Sequence, residues 1–161
     1  MSAIIMPRTI IEELKRRAEE SGSSIEEVLL DMVTGDLDPV DKAKRYAEAA
    51  EELLEQAGEE LEKGDLRQAS EKIWGSAALI VKAYAFRRER KTLIKHSQLW
   101  KYKSMLAEEL GDWVIDAWLI ADSMHKNFYE GVAGEEDVRR ALQHVERLVE
   151  AVVGRYSLKQ S

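Results

Sequence analysis

The stretch QASEKIWGSAALIVKAYA, residues 68–85, decides how the rest of the chain is read. Its centre, AALIV at 77–81, is the longest apolar run in the sequence, far short of the ~20 residues that span a bilayer. Asp65 stands ahead of it as a helix cap after Gly64. From there Leu66, Ala69, Ile73, Ala77, Ile80 and Tyr84 recur at three and four spacing, the signature of one inward face of a helix. The spacing predicts a long core helix in a globular protein rather than a membrane segment.

The flanking segments carry the same signature. Ala, Leu, Glu and Lys are abundant and there are only two prolines, which favours helices throughout. Gly22, Gly35, Gly64, Gly111, Gly131 and Gly134 punctuate the periodic segments as helix ends do. Pro7 suits the first turn of a first helix that stops near Gly22. Ser24 with Glu27 makes a capping box that opens a short second helix, and Asp38 before Pro39 opens a long third one. Along the third run Ala43, Tyr46, Ala47, Ala50, Leu54, Ala57 and Leu61. Ser97 and Asp112 start a fifth and a sixth helix, and Glu135 and Glu136 favour the start of a seventh through its dipole. The expected architecture is all-α: an antiparallel up-down four-helix bundle (third, fourth, sixth and seventh helices) with an N-terminal helical hairpin and a short extra helix. The expected division is residues 1–36 as the hairpin, an interaction appendage, and 37–161 as the bundle. No glycine-rich phosphate loop, strand alternation or internal repeat is present.

Composition narrows function. Without cysteine there is no disulfide, thiolate metal site or cysteine nucleophile. The first residues lack the basic start and long apolar run of a secretory signal, so a cytoplasmic location without membrane attachment is expected. A single asparagine, no cysteine and many Glu and Lys suit a thermophile. The net charge of −7 argues against indiscriminate nucleic-acid binding. Its distribution is uneven, however. Residues 82–103 hold eight Lys and Arg against Glu89 alone, a local +7 that leaves −14 elsewhere. Tyr84, Phe86, Trp100 and Tyr102 interleave with these cations, the ingredients for holding phosphates and stacking bases. Arg87, Arg88, Arg90, Lys91, Lys95 and His96 are therefore candidate ligand-binding residues, and a nucleotide or RNA is the expected partner. The bland alternative is a solvated helix end whose positive charge offsets the dipole.

MHKNFYEG, residues 124–131, contains the one asparagine of the chain. On a helical wheel Trp113, Val114, Ala117, Trp118, Ala121, Met124 and Phe128 form an apolar arc that includes His125, with Tyr129 at its edge beside Asp122. Asn127 falls on the opposite flank, near enough to Gly131 to help end the helix. His125 and Tyr129 are candidate ligand contacts in a small pocket, against the plainer reading of a paired core histidine. Asp122 and His125 have acid-x-x-His spacing, but a bundle metal site needs two such motifs and further carboxylates. No metal or other cofactor is expected.

The run from QASEKIWGSAALIVKAYA through KHSQLWKY (95–102) and ELGDW (109–113) to MHKNFYEG resembles the archaeal PaREP family in its type-one branch, over roughly residues 38–154. That family looks like a divergent branch of the HEPN helical-bundle proteins. The resemblance implies a bundle and a homodimer. Some HEPN proteins are partners of minimal nucleotidyltransferases, which makes such an enzyme a candidate partner, and others are ribonucleases. The ribonucleases pair an arginine and a histidine with four to six residues between them, commonly followed two residues later by a tyrosine. Here Tyr129 can take the tyrosine place, but Asn127 stands where the histidine belongs and Asp122 where the arginine belongs. Arg90 with His96 and Arg139 with His144 match the spacing away from that turn. The reading is a non-enzymatic interaction or nucleotide-binding module, with a degenerate HEPN-type ribonuclease as the alternative. A third reading, a ribbon-helix-helix DNA-binding regulator, rests on the hairpin, but its reading strand would have only Ser2 to offer.

Overall fold

The computed structural model describes residues 3–159, and Ser2 lies outside them. Seven α-helices follow one another: α1 (Arg8–Ser21), α2 (Ile25–Val33), α3 (Pro39–Glu62), α4 (Leu66–Glu89), α5 (Leu99–Leu110), α6 (Trp113–Glu130) and α7 (Glu135–Arg155), with a 3₁₀ turn at His96–Gln98. None is long and apolar enough to cross a membrane. Local chemistry places the boundaries. The side chains of Ser24, Asp38 and Asp65 accept from the backbone N–H of Glu27, Asp41 and Gln68, three capping bonds of the expected kind. Gly22 closes α1 in the left-handed region at φ 70°, where a β-carbon would be strained.

The expected four-helix bundle with an appended hairpin and extra helix is not what forms. Among the described residues seven helices and no strand make the fold. The reason lies in α4. Every residue from Ile73 to Phe86 is buried, whereas a helix in a four-helix bundle keeps one face for solvent. Covering α4 on all sides takes more than three partners. α5 supplies one wall, with Leu99, Tyr102 and Leu106 buried between α4 and α6. The residues 3–7 that precede α1 take no regular structure, and Ile4 and Ile5 are exposed.

The tightest helix pair is α3 on α4. Ala43, Ala47, Ala50 and Ala57 present a surface of small side chains, all fully buried. Gly75 answers from α4, where a β-carbon would sit 3.2 Å from Leu53 Cδ1. The Ser76 hydroxyl donates across the interface to the Ala50 carbonyl at 2.7 Å. Close backbone approach of this kind gives many dispersion contacts per turn.

One charge dominates the other end of α4. The Lys82 ammonium is 1% exposed and donates to Glu27 Oε2 at 3.3 Å and Asp31 Oδ2 at 2.8 Å, both on α2. Glu27, itself 2% exposed, also takes the His96 ring nitrogen at 3.0 Å. Tyr46 from α3 hydrogen-bonds Asp31, and the buried Lys42 donates to the Thr92 carbonyl at 2.7 Å. The cluster thus joins α2, α3, α4 and the α4–α5 connector. Burial pushes the Glu27 carboxyl up, but the His96 hydrogen bond and the Lys82 charge outweigh it and hold it below its usual range. At Asp31 burial prevails over Lys82, and its pKa is raised. Removing one member of a buried pair strands the other's charge, which costs about 3–5 kcal/mol. Lys82→Met is expected to lower stability by about that amount in urea unfolding. A loss below ~1 kcal/mol would show that the cluster does not hold the hairpin.

Candidate binding site

Two surfaces hold the residues singled out by sequence. The first is a cleft of about 600 Å³ between the α1–α2 hairpin and the outer face of α4 and α6. Lys15 and Glu19 of α1, the turn at Gly22–Ser24, Glu26 of α2, Gln68 and Glu71 of α4, and His125, Phe128 and Tyr129 of α6 line it. His125 Nδ1 lies 3.1 Å from Glu71 Oε2, and the imidazole leans on Trp74 with ring centres 5.5 Å apart. Tyr129 meets His125 edge to face at 5.5 Å and Phe128 at 4.9 Å. Glu26 is engaged by Lys72 at 3.5 Å.

The wheel misjudged this turn. Asn127, expected on the flank opposite Tyr129, is buried, while Tyr129 is 65% exposed and the His125 side chain 30%. The asparagine amide answers the question its rarity raised. Its Nδ2 donates to Ser70 Oγ at 2.9 Å on α4, and its Oδ1 accepts from the Ala133 N–H at 2.7 Å in the α6–α7 turn. Asn127 is a buried tie that fixes the end of α6, with both halves of its amide satisfied. His125 and Tyr129 are brought together as expected, but on the cleft wall rather than in the core.

The second surface is the α4–α5 connector. Of the eight cations in and around it at residues 82–103, Lys82 is buried and paired, and Lys103 is buried, its ammonium 5.2 Å from the Trp100 ring centre. Arg88 is held by Glu109 at 3.2 Å. Arg87 is half-buried, and Arg90, Lys91, Lys95 and Lys101 are exposed. Arg90 ends α4 with φ 54°. Leu93 and Trp100 are exposed among them. His96 turns inward to Glu27 and lies 15% exposed, and its ring meets Trp74 edge to face with centres 6.1 Å apart. The two histidines therefore belong to separate carboxylate pairs. Neither loose arginine–histidine match forms a joint site in hydrogen-bonding terms: His96 uses Glu27, and Arg139 pairs with Glu135 at 2.8 Å. Among the described residues no group of three or more His, Asp or Glu side chains could hold a metal ion.

Sequence reading missed Glu71 as the partner of His125, and Glu27, Asp31 and Lys42 around Lys82. One signal was available. Lys82 interrupts a long apolar stretch, and a lysine there needs a carboxylate partner.

The hydrogen bond to Glu71 raises the pKa of His125 above its ordinary value, with burial opposing and the charges of Glu71 and Asp122 helping. Because the folded pKa lies above the unfolded one, the pair adds stability that is complete below ~6.5 and is lost as pH rises through the raised value. Proton NMR of the imidazole is expected to show His125 titrating above ~6.5, and Glu71→Gln to bring it down. A wild-type midpoint at or below ~6.5 would contradict the pairing.

Residues 45–149 match the family model described as the archaeal PaREP1/PaREP8 family. The matched span runs from within α3 to within α7, well over half of the 161 residues, and includes the connector and His125. No curated protein and no solved structure matches the chain.

Proposed function

We propose that this chain, which belongs to the archaeal PaREP1/PaREP8 family, is a non-enzymatic binding module whose α4–α5 connector holds the phosphates of RNA or a nucleotide. The observation that carries the reading is which cations remain unengaged. Arg87, Arg90, Lys91, Lys95 and Lys101 have no carboxylate within 4.0 Å among the described residues, while Lys82 and Arg88 do. Three uncompensated charges on the connector, flanked by Arg87 at the end of α4 and Lys101 at the start of α5, create a local anion-attracting field even on an acidic protein. Trp100, 48% exposed, offers an aromatic face beside Lys101 for a base.

The structure separates useful variants from uninformative ones. In an anisotropy titration with labelled single-stranded RNA and with ATP, the Arg87→Ala/Arg90→Ala/Lys91→Ala triple variant is expected to bind at least about tenfold more weakly. Its salt slope is expected to fall by about 2, the loss of three phosphate contacts on a single strand. Arg88→Ala, which removes a group already held by Glu109, is expected to stay within about threefold of wild type. Equal binding by wild type and the triple variant would refute the reading. RNA shortened during the assay, with the cutting lost in His96→Ala, would favour the ribonuclease alternative.

A second reading concerns partners. Ile4, Ile5, Ile10, Met32 and Val33 are exposed on the hairpin and the segment before it. Exposed large apolar side chains are the raw material of an association surface. The salt bridges of α1 are mixed in sign and internally satisfied, Arg8 with Glu12 and Arg16 with Glu13 and Glu20. Two copies facing each other there meet no like-charge repulsion. An Ile5→Asp/Val33→Asp variant is expected to be a monomer by light scattering under conditions where wild type is a dimer. A wild-type monomer, or a variant that stays dimeric, would refute this reading.

A further inference from the structure

A second recess, of about 500 Å³, lies between the α1–α2 hairpin and the connector, with the buried Lys82–Glu27 pair at its floor. His96 stands in its wall, and the two edges of the ring meet different surroundings. Nδ1 lies 3.0 Å from Glu27 Oε1, so that nitrogen is committed to the floor. The opposite edge faces the hairpin turn: Cδ2, the neighbour of Nε2, is 3.7 Å from where a β-carbon at Gly22 would sit. No side chain from position 22 covers that edge, and Nε2 has no hydrogen-bond partner among the described residues.

The charges around the recess are nearly all paired with one another. Arg17 is held by Glu13, and Glu20 holds Arg16. Lys82 sits between Glu27 and Asp31. Lys95 is the exception, exposed at the rim with no carboxylate within 4.0 Å among the described residues. The nearby Ser97 hydroxyl also has no partner among them. A protonated imidazole has two N–H groups, so His96 can satisfy Glu27 with one and still donate the other. The recess thus offers three unused donors, on Lys95, His96 and Ser97, and every carboxylate in its lining is already engaged.

Such a donor set suits an anion with several free oxygens. The buried pair at the floor stops a strand from passing through, so the group that enters is the end of a ligand. A terminal phosphate presents three free oxygens, whereas an internal phosphodiester presents two. We propose that this recess takes the terminal phosphate of a nucleotide or of an RNA chain end, with Lys95, His96 Nε2 and Ser97 as its donors. The proposal rests on the connector reading for the class of ligand, but the contact itself is read separately.

Proton NMR of the His96 ring in the full chain reads it, the signals being assigned by their absence in His96→Asn. That substitution keeps an amide N–H near the Nδ1 position for Glu27 and removes Nε2, and circular dichroism verifies that the variant folds. Titration with AMP is expected to shift the His96 signals saturably and leave those of His144 in place, while adenosine shifts neither. In anisotropy titrations, a short RNA with a phosphate at one end or the other is expected to bind at least about fivefold tighter than the same RNA with hydroxyl ends. Lys95→Ala and His96→Asn are each expected to reduce that preference to below about twofold. The proposal is overturned if AMP leaves His96 unmoved, if adenosine shifts it equally, or if the end preference is absent or survives both substitutions. Equal binding of the two RNAs, weakened alike by the Arg87→Ala/Arg90→Ala/Lys91→Ala variant, would refute the recess and keep the connector. RNA binding indifferent to that triple variant, with AMP still shifting His96, would refute the connector and keep the recess.

Discussion

Burying the Lys82 ammonium toward the C-terminal end of the most enclosed helix is the constraint on which the rest of the structure depends. An isolated ammonium at that depth costs several kcal/mol, and attraction repays this only with well-placed partners. The partners are on α2, in a different part of the sequence: Glu27 and Asp31, one helical turn apart on the face toward α4. Those two carboxylates in turn collect His96 from the connector and Tyr46 from α3. A polar cluster of this type tolerates little displacement, because moving α2 away would leave several charges buried and unpaired at once. The hairpin is thereby fastened to the bundle by geometry-sensitive bonds rather than by apolar contact alone. Ile10, Met32 and Val33 of the hairpin remain exposed.

The same cluster arranges the two candidate surfaces. With Lys82, His96 and Lys42 drawn inward, the connector is anchored at Ile94 and His96 while Arg90, Lys91 and Lys95 stay outside. The hairpin turn and His125, which leans on Trp74, line the cleft. One surface is cationic and open, the other lined with carboxylates and aromatic rings. Trp74 touches a histidine of each, His96 with ring centres 6.1 Å apart and His125 at 5.5 Å.

Much of the fold was legible because it is locally encoded. The caps at Ser24, Asp38 and Asp65 and the glycine at position 22 need only near neighbours, and the predicted helix starts match the observed ones there. The assembly of the helices was less legible. Amphipathic periodicity assumes one covered face, and α4 is covered on every side, so its neighbours could not be counted from its pattern. The error at MHKNFYEG has the same origin. α6 packs on α4, α5 and α7 together, which turns Asn127 inward and leaves Tyr129 outside. At the connector, charge counting overstated the free charge, because pairs such as Arg88 with Glu109 join residues far apart in sequence. His125 with Tyr129 was found from spacing, but Glu71, 54 residues away, was not.

Hydrogen exchange of the backbone amides tests most directly whether the Lys82 cluster makes the hairpin part of the folded body. Amides of α2 around Val28 to Leu30 are predicted to be protected together with those of α4, opening only in events that also expose the core. If α2 exchanged at the rate of an unfolded chain while α4 remained protected, the hairpin would be a loosely held appendage, and the account built on Lys82 would be wrong.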